Sequence, residues 1–185
     1  MKKLAVFVSG TGSLLEAMIA DKLPIELVLA DRPCRGIEIA ENAGIRAILY
    51  RRSFKHGFDR EFYTEDIKRA LTACGIDFVA MAGFMTVLDP IIFASYGDRI
   101  LNTHPSLLPS FKGDHAVRDA LAFGVKVTGR TIHVATAKLD DGPIVAQEAV
   151  RVLPDDTVDT LWERIKVVER KLYPVAIREF AKTIQ

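Results

Sequence analysis

The chain has 185 residues, a formal net charge of +1 and 49% hydrophobic residues. This length favours a single well-buried domain, and the balanced charge gives no reason to expect a nucleic-acid or membrane partner. No apolar run approaches the roughly 18 residues that a membrane span needs, and the N-terminal run is broken at Ser9 and Gly10. Cys34 and Cys74 lie far apart without metal-ligand spacing, so we expect a reducing, cytoplasmic setting.

Through residue 100, short apolar runs alternate with segments of helical period. This alternation is typical of parallel strands joined by crossover helices, and it predicts a Rossmann-like N-terminal half. The predicted strands are Leu4–Val8, Ile25–Ala30, Ala47–Tyr50, Phe78–Met81 and Arg99–Asn102, and the predicted helices begin at Ser13, Gly36 and Asp59.

After Pro105 the pattern changes to a polar loop followed by fewer and longer elements. The sequence predicts a helix over His115–Phe123, strands over Thr128–Ala135 and Ile144–Val152, and a last helix from Asp156 or Thr157 that Pro174 bends or interrupts. Since no repeat or linker separates the two halves, we expect the later strands to extend the same sheet. The predicted fold is one α/β domain over residues 1–185, with a mostly parallel twisted sheet flanked by helices.

Asn102 and His104 stand at the end of a predicted strand. Because side chains two residues apart on a strand share a face, an amide and an imidazole can here point at one substrate atom. That pair can hold a developing oxyanion and move a proton near neutral pH. The alternative is a turn with a satisfied polar pair and no catalytic role.

The segment Ser9–Ser13 follows the first strand and opens a helix. Small residues at a helix N-terminus let backbone N–H groups approach an anion, so the segment is a candidate phosphate site. A dinucleotide fingerprint would need a third glycine where Leu15 stands, although Asp31 at the end of strand two is placed to accept a ribose hydroxyl. The alternative is a tight strand-to-helix turn without a ligand.

Two pairs of charged residues are further candidates for the functional site. Asp140 and Asp141 precede a Gly-Pro turn, and they are either solvated or placed so that one carboxylate faces His104 and raises its pKa. Lys166 and Glu169 share a helix face. They form either an ordinary ion pair on the helix surface or a pair of ligands for phosphate and ribose. His115 and His133 are interpreted as structural.

Five segments combine small, polar and chemistry-bearing residues in one order along the chain. They are Ser9–Ser13, Ala82–Met85, Asn102–Pro109, Gly129–Val134 and Leu139–Pro143. Together they resemble the glycinamide ribonucleotide transformylases, the folate-dependent formyltransferases of purine synthesis, over nearly the whole chain. The resemblance implies the formyltransferase fold, with a phosphate-binding half over residues 1–100 and a catalytic and folate-binding half over residues 101–185.

The resemblance also implies a reaction and a catalytic trio. The amine of 5′-phosphoribosylglycinamide attacks the formyl carbon of 10-formyltetrahydrofolate, and a tetrahedral intermediate forms. Asn102 and protonated His104 stabilise its oxyanion, while Asp140 keeps His104 charged and relays the amine proton through water. Asp140 is chosen over Asp141 because the family pattern is Leu-Asp-x-Gly-Pro.

Two binding sets are implied in the same way. The ribonucleotide set is Gly10, Thr11, Gly12, Ser13, Leu14, Lys166 and Glu169. The folate set is Arg60, Met85, Thr86, Val87, Leu88, Asn102, Ala137 and Asp140. Three positions depart from the common family pattern: Leu14 stands where Asn is common, Thr86 where Arg is frequent, and Ala137 where an acidic residue is usual.

Related enzymes share the catalytic motif. A methionyl-tRNA formyltransferase would need an added C-terminal domain and a formyltetrahydrofolate hydrolase an N-terminal regulatory domain, and we expect 185 residues to hold neither. The further alternatives are a sugar-nucleotide formyltransferase and a non-catalytic nucleotide-binding module that uses Ser9–Ser13. We expect small-molecule substrates, no metal, and a monomer or homodimer.

Overall fold

The chain folds as two compact units. The computed structural model describes residues 2–53 and 57–184. The first unit contains the residues up to Ile100 together with Ile184, and the second runs from Leu101 to Thr183.

Strands and helices alternate through the first unit. In chain order they are strand β1 (Leu4–Val8), helix α1 (Ser13–Ala20), β2 (Ile25–Ala30), α2 (Arg35–Asn42), β3 (Arg46–Leu49), α3 (Arg60–Ala73), β4 (Phe78–Ala82), a 3-10 turn (Pro90–Ile92) and α4 (Phe93–Tyr96). Strand β1 pairs in parallel with β2 and β4, and β2 pairs in parallel with β3. Every residue of β1 is buried, as expected for a central strand covered on both faces.

The second unit carries the antiparallel part of the sheet. Its elements are β5 (Ile100–His104), α5 (Ala116–Phe123), β6 (Val127–Val134), β7 (Ile144–Arg151) and α6 (Val158–Thr183). Strand β6 pairs antiparallel with β5 and with β7. The seven strands follow the order β3-β2-β1-β4-β5-β6-β7 in one mostly parallel sheet, which confirms the predicted α/β fold class.

Helix α6 is longer than the sequence pattern indicates. It runs without a break through Pro174 to Thr183, so Pro174 does not interrupt the helix, while a bend at Pro174 stays a prediction. The proline removes one helical hydrogen bond, while burial of the neighbouring Tyr173 and Ile177 holds the segment in place. The Tyr173 hydroxyl also donates to the Leu101 carbonyl at 3.0 Å.

Two short elements were not predicted. The 3-10 turn begins where Asp89 Oδ1 accepts a hydrogen bond from the Ile91 amide at 3.1 Å, and α4 follows directly. Neither is long enough to show a helical period in the sequence. Within the described residues, none of the helices combines the length and apolar composition needed to cross a lipid bilayer.

Candidate active site

The glycine-rich segment forms a tight bend between β1 and α1 in the first unit. Gly12 has φ +74°, and a Cβ there would lie 2.5 Å from Ile39 Cδ1 and 3.0 Å from the Gly36 Cα. Glycine is therefore required both for its backbone conformation and for the close approach of α2. The first helical hydrogen bond runs from the Glu16 amide to the Gly12 carbonyl at 2.9 Å.

The bend leaves backbone donors available for an anion. Among the described residues, no side chain caps the N-terminus of α1, so the amides of its first turn keep their hydrogens free for a ligand. Gly10 and Thr11 are exposed, but Leu14 is buried in the core. Leu14 can therefore contribute only its backbone N–H, and its side chain cannot contact a ligand from this position.

Asp31 is occupied by neighbouring side chains. Its buried carboxylate accepts hydrogen bonds from Arg32 Nε at 2.9 Å, from Arg32 Nη2 at 3.1 Å and from Thr86 Oγ1 at 2.7 Å. Burial alone would raise the pKa of Asp31, but the hydrogen bonds from Arg32 and Thr86 hold it below its usual value. The carboxylate is committed to these contacts, which disfavours the dinucleotide interpretation.

The residues of the predicted folate set fall in both units. Met85 and Val87 are more than half exposed, whereas Leu88 is buried. Thr86 is also buried and donates to Asp31, so its side chain has a structural partner rather than a free hydroxyl. Arg60 is half exposed, with Nε 3.5 Å from Asp89 Oδ2. In the second unit, Asn102 is partly buried, Ala137 is exposed and Asp140 is buried.

Strand β5 extends to His104, two residues beyond its predicted end. Asn102 and His104 both lie inside the strand and therefore share a face. His104 is buried, and its Nδ1 lies 3.3 Å from Asp140 Oδ2. The structure thus places an amide, an imidazole and a carboxylate in one cluster of the second unit.

Asp140 reaches His104 because of the loop geometry between β6 and β7. It adopts φ +49°, and its Oδ2 accepts a hydrogen bond from the Gly113 amide at 2.9 Å. A Cβ on Gly142 would overlap the Val134 carbonyl oxygen, so only glycine lets the loop turn this closely. The neighbouring Asp141 is instead paired with Lys112 and Lys138, which lower its pKa to about 2.

The His104 ring faces two hydrogen-bond acceptors. Its Nε2 lies 2.8 Å from the Phe111 carbonyl oxygen, while Nδ1 faces Asp140. Burial lowers the pKa of His104 and outweighs the opposite effects of the Phe111 carbonyl and of Asp140. The facing Asp140 carboxylate does raise this pKa, as predicted, but the net shift is downward because burial outweighs it, and the sequence does not show how deeply the ring is buried.

A neutral imidazole carries one proton and can satisfy only one of the two acceptors. The protonated ring would satisfy both. We conclude that the free protein holds a neutral His104 at pH 7, in surroundings that stabilise the imidazolium once negative charge develops beside it.

The loop after β5 holds the Phe111 carbonyl in place. Thr131 Oγ1 donates to the Ser106 carbonyl at 2.7 Å and accepts from the Leu108 amide at 3.0 Å. Gln147 Nε2 donates to the Leu108 carbonyl at 2.9 Å. Side chains of β6 and β7 therefore anchor the beginning of the loop that leads to Phe111.

His133 belongs to this cluster, although the sequence interpretation treated it as structural. The Nδ1 atom of His133 lies 3.0 Å from the carbonyl oxygen of Val134. Because a carbonyl oxygen only accepts hydrogen bonds, Nδ1 carries the proton. Its Nε2 then accepts from Asn102 Nδ2 at 3.2 Å and lies 3.6 Å from Asp140 Oδ1. His133 is the register partner of Asn102 across the sheet, and that pairing cannot be read from spacing along the chain.

The cluster also stabilises the Asp140 carboxylate. Burial alone would raise the pKa of Asp140, but the neighbouring His133, the hydrogen bond from the Gly113 amide and the nearby His104 together lower it below the usual value. Asp140 is therefore ionised at neutral pH. An ionised carboxylate beside a neutral imidazole is arranged to accept and stabilise a proton on that ring.

Lys166 and Glu169 do not form the predicted ion pair with each other. Lys166 Nζ lies 2.7 Å from Glu163 Oε1, one turn earlier on α6. Glu169 is buried, pairs with Arg130 and accepts a hydrogen bond from Thr103 Oγ1 at 3.1 Å. The helical spacing is the one expected, but strand β6 supplies a stronger partner for Glu169.

Comparisons with known proteins identify the family. A model of the formyl transferase family matches residues 2–177. The phosphoribosylglycinamide formyltransferase of Mycobacterium tuberculosis is 44% identical over 184 residues, which are 97% of this chain and 85% of that protein. The enzyme of that name from Bacillus subtilis is 36% identical, over 97% of this chain and 94% of its own.

The fold has a solved counterpart. The crystal structure of the phosphoribosylglycinamide formyltransferase from Bacillus halodurans superimposes with a TM-score of 0.92 at 36% identity, over 100% of this chain and 97% of that one.

Proposed function

The chain belongs to the formyl transferase family, and from that membership we propose that it transfers the formyl group of 10-formyltetrahydrofolate to the amine of 5′-phosphoribosylglycinamide in purine biosynthesis. The observation that carries the proposal is the buried contact between His104 and Asp140 beside Asn102. Both substrates are small molecules, and the reaction uses acid–base chemistry of the protein's own side chains.

The chemistry follows from the charges of the cluster. The amine forms a bond to the formyl carbon, and the carbonyl electrons move onto oxygen. Asn102 has an amide N–H besides the one that faces His133 and can donate it to that oxyanion. Negative charge there, together with Asp140, raises the proton affinity of His104, so the ring takes up a proton from water and the imidazolium forms during the reaction.

Collapse of the tetrahedral intermediate breaks the bond to the folate nitrogen. The attacking amine loses a proton, the folate nitrogen gains one, and Asp140 relays it through water. His104 then gives its extra proton back to water and returns to its neutral form, because the oxyanion that raised its proton affinity is gone. The ring thus needs to hold a proton only during the reaction.

Each substrate is assigned its own set of residues. The phosphate binds the backbone amides of Gly10–Leu14, which include the uncapped first turn of α1. Lys166 supports the phosphate and Glu169 accepts the ribose hydroxyls. The folate contacts Met85, Val87 and Leu88, with the backbone near Thr86, and residues Asn102, Ala137 and Asp140 of the second unit; Arg60 binds the glutamate tail.

The setting of the protein is part of the proposal. Cys34 and Cys74 are both free thiols, which supports a reducing cytoplasm. We assign the protein a monomeric or homodimeric state.

Turnover with both substrates tests the function. Purified protein is mixed with phosphoribosylglycinamide and 10-formyltetrahydrofolate, and folate deformylation is followed by absorbance. We expect deformylation to require the amine and to vanish in the His104→Ala variant, which excludes a contaminating enzyme. Deformylation at the same rate without the amine would show a hydrolase instead, and binding of NAD without formyl transfer would show a nucleotide-binding module.

A further inference from the structure

Arg130 is a buried cation that the proposed chemistry does not use. It lies on β6, is only 4% exposed, and donates from Nε to Thr103 Oγ1 at 2.7 Å. Its Nη2 pairs with Glu169 Oε1, which also accepts from Thr103 Oγ1 at 3.1 Å. Three residues on β5, β6 and α6 thus close a triangle of polar contacts inside the second unit.

This arrangement is costly for a protein interior. Burial lowers the pKa of Arg130 to about 9, although the guanidinium remains charged at neutral pH. Its Nη1 is buried and has no hydrogen-bond partner among the described residues. Because a buried ion pair contributes little net stability compared with apolar residues, its presence calls for a role other than holding the fold together.

The triangle adjoins the residues proposed to act on substrate. Thr103 stands between Asn102 and His104 on β5, and it points to the opposite face of the strand. Arg130 and Lys166 both lie over the ring of Trp162, each 5.7 Å from its centroid. Arg130 therefore connects the strand of the catalytic pair with the helix that carries both ribonucleotide ligands.

The two contacts to Glu169 engage the same oxygen. Arg130 and Thr103 both contact Oε1, so Oε2 is the oxygen that a ribose hydroxyl would reach. Without the guanidinium, a carboxylate this buried would take up a proton, so one oxygen would donate and the hydrogen bonds it accepts from ribose hydroxyls would lose their charge assistance.

We propose that Arg130 is a positioning residue for the ribonucleotide, which keeps the Glu169 carboxylate ionised and fixes the direction of its Oε2 toward the ribose hydroxyls. The proposal rests on the proposed function, since it deepens the assignment of Glu169. It makes Arg130 a determinant of binding for one of the two substrates and not of the chemical step.

A double-mutant cycle tests this role. We expect Arg130→Met to raise the KM for phosphoribosylglycinamide about tenfold or more, while kcat and the KM for the folate change less than about threefold. In a Glu169→Gln background, the same substitution should change the KM for the ribonucleotide by less than about twofold, because no carboxylate is left to hold. The proposal would be overturned if Arg130→Met raised the ribonucleotide KM by the same factor with Glu or Gln at position 169. It would also be overturned if the KM values for the ribonucleotide and the folate rose equally.

The pH dependence adds a readout that a purely structural role would not change. The charged group in contact with Glu169 is Arg130 from β6, and β5 contributes the neutral Thr103. On its own helix, Lys166 is paired with Glu163 and the Tyr173 hydroxyl donates to the Leu101 carbonyl. In Arg130→Met we expect the KM for the ribonucleotide to rise as the pH falls from 8 to 6, because Glu169 takes up a proton. A parallel KM profile in wild-type protein and variant would contradict the proposal.

Arg130→Lys serves as the conservative variant. It retains a cation near Glu169, so its KM for the ribonucleotide should lie close to the wild-type value. A KM as high as that of Arg130→Met would overturn the charge argument. Thermal unfolding of each variant identifies loss of the fold, and Arg130→Lys keeps the test informative if Arg130→Met does not fold. Wild-type turnover is measured first, so a failure of the proposed function is seen there and not in the cycle.

Discussion

The glycine bend of the first unit and the His104 cluster of the second offer different kinds of groups to a ligand. The bend offers backbone amides at a helix N-terminus, and its shape depends on one residue, Gly12, at φ +74°. The cluster offers side chains, and its chemistry depends on burial and on partners from distant parts of the chain. A backbone site is therefore sensitive to space, while a side-chain site is sensitive to charge.

The largest expected effect separates Asp140 from Asp141. We expect Asp140→Asn to lower kcat by about 10²–10⁴-fold, since an amide cannot stabilise a proton on His104 or relay one. Asp141→Asn is the matched control; it removes only exposed ion pairs, and kcat should change less than about twofold. Steady-state turnover measures both, and equal losses would mean that the contact with His104 is not the catalytic one.

His133 tests whether the cluster acts through orientation. In His133→Ala the Asn102 amide loses its partner at 3.2 Å, and we expect kcat to fall about tenfold. The KM for the ribonucleotide should change little, because none of its binding residues contacts His133. A KM that rises while kcat stays constant would place His133 among the binding residues.

Gly12→Ala tests the spatial requirement of the bend. The new Cβ meets Ile39 and must adopt a positive φ, so we expect a loss of about 1–3 kcal/mol in the free energy of unfolding. The ribonucleotide KM should rise as well, since the backbone amides shift. In Gly10→Ala a Cβ meets nothing within 4 Å, and the free energy of unfolding should stay within about 0.5 kcal/mol. Equal destabilisation by the two variants would show that crowding at Gly12 is not the cause.

The smallest effect is on stability as a function of pH. The folded-state pKa of His104 lies below its ordinary value, so the unfolded chain binds this proton more readily. The free energy of unfolding should therefore fall as the pH drops from about 7.5 to 5.5, through the unfolded-state pKa near 6.5. Denaturant unfolding of wild-type protein and His104→Asn measures the difference. We expect the variant to show a shallower decline, and an identical slope would mean that His104 is not buried in its neutral form.

The sequence pattern predicted an element well where an apolar run or a helical period is bounded by turn or capping residues. The strands of the first unit lie within one residue of their predicted bounds, because each is a continuous apolar run between turns. The helix beginning at Asp59 is confirmed, and the Asp59 carboxylate accepts from the Phe62 amide as an N-cap. The elements at Pro90–Ile92 and Phe93–Tyr96 could not be predicted, since one turn of helix shows no period.

The amino-acid sequence by itself determined the alternating α/β pattern, the small residues of the first bend and the shared strand face of Asn102 and His104, since these depend on neighbours along the chain. Only the tertiary structure decided that His133 joins Asn102, that Arg130 and not Lys166 pairs with Glu169, and that Asp31 is held by Thr86 and Arg32. It also decided the direction in which the pKa of His104 moves. The physical reason is that burial and cross-strand contact depend on residues far apart in the chain, and these set the charge state of a buried group.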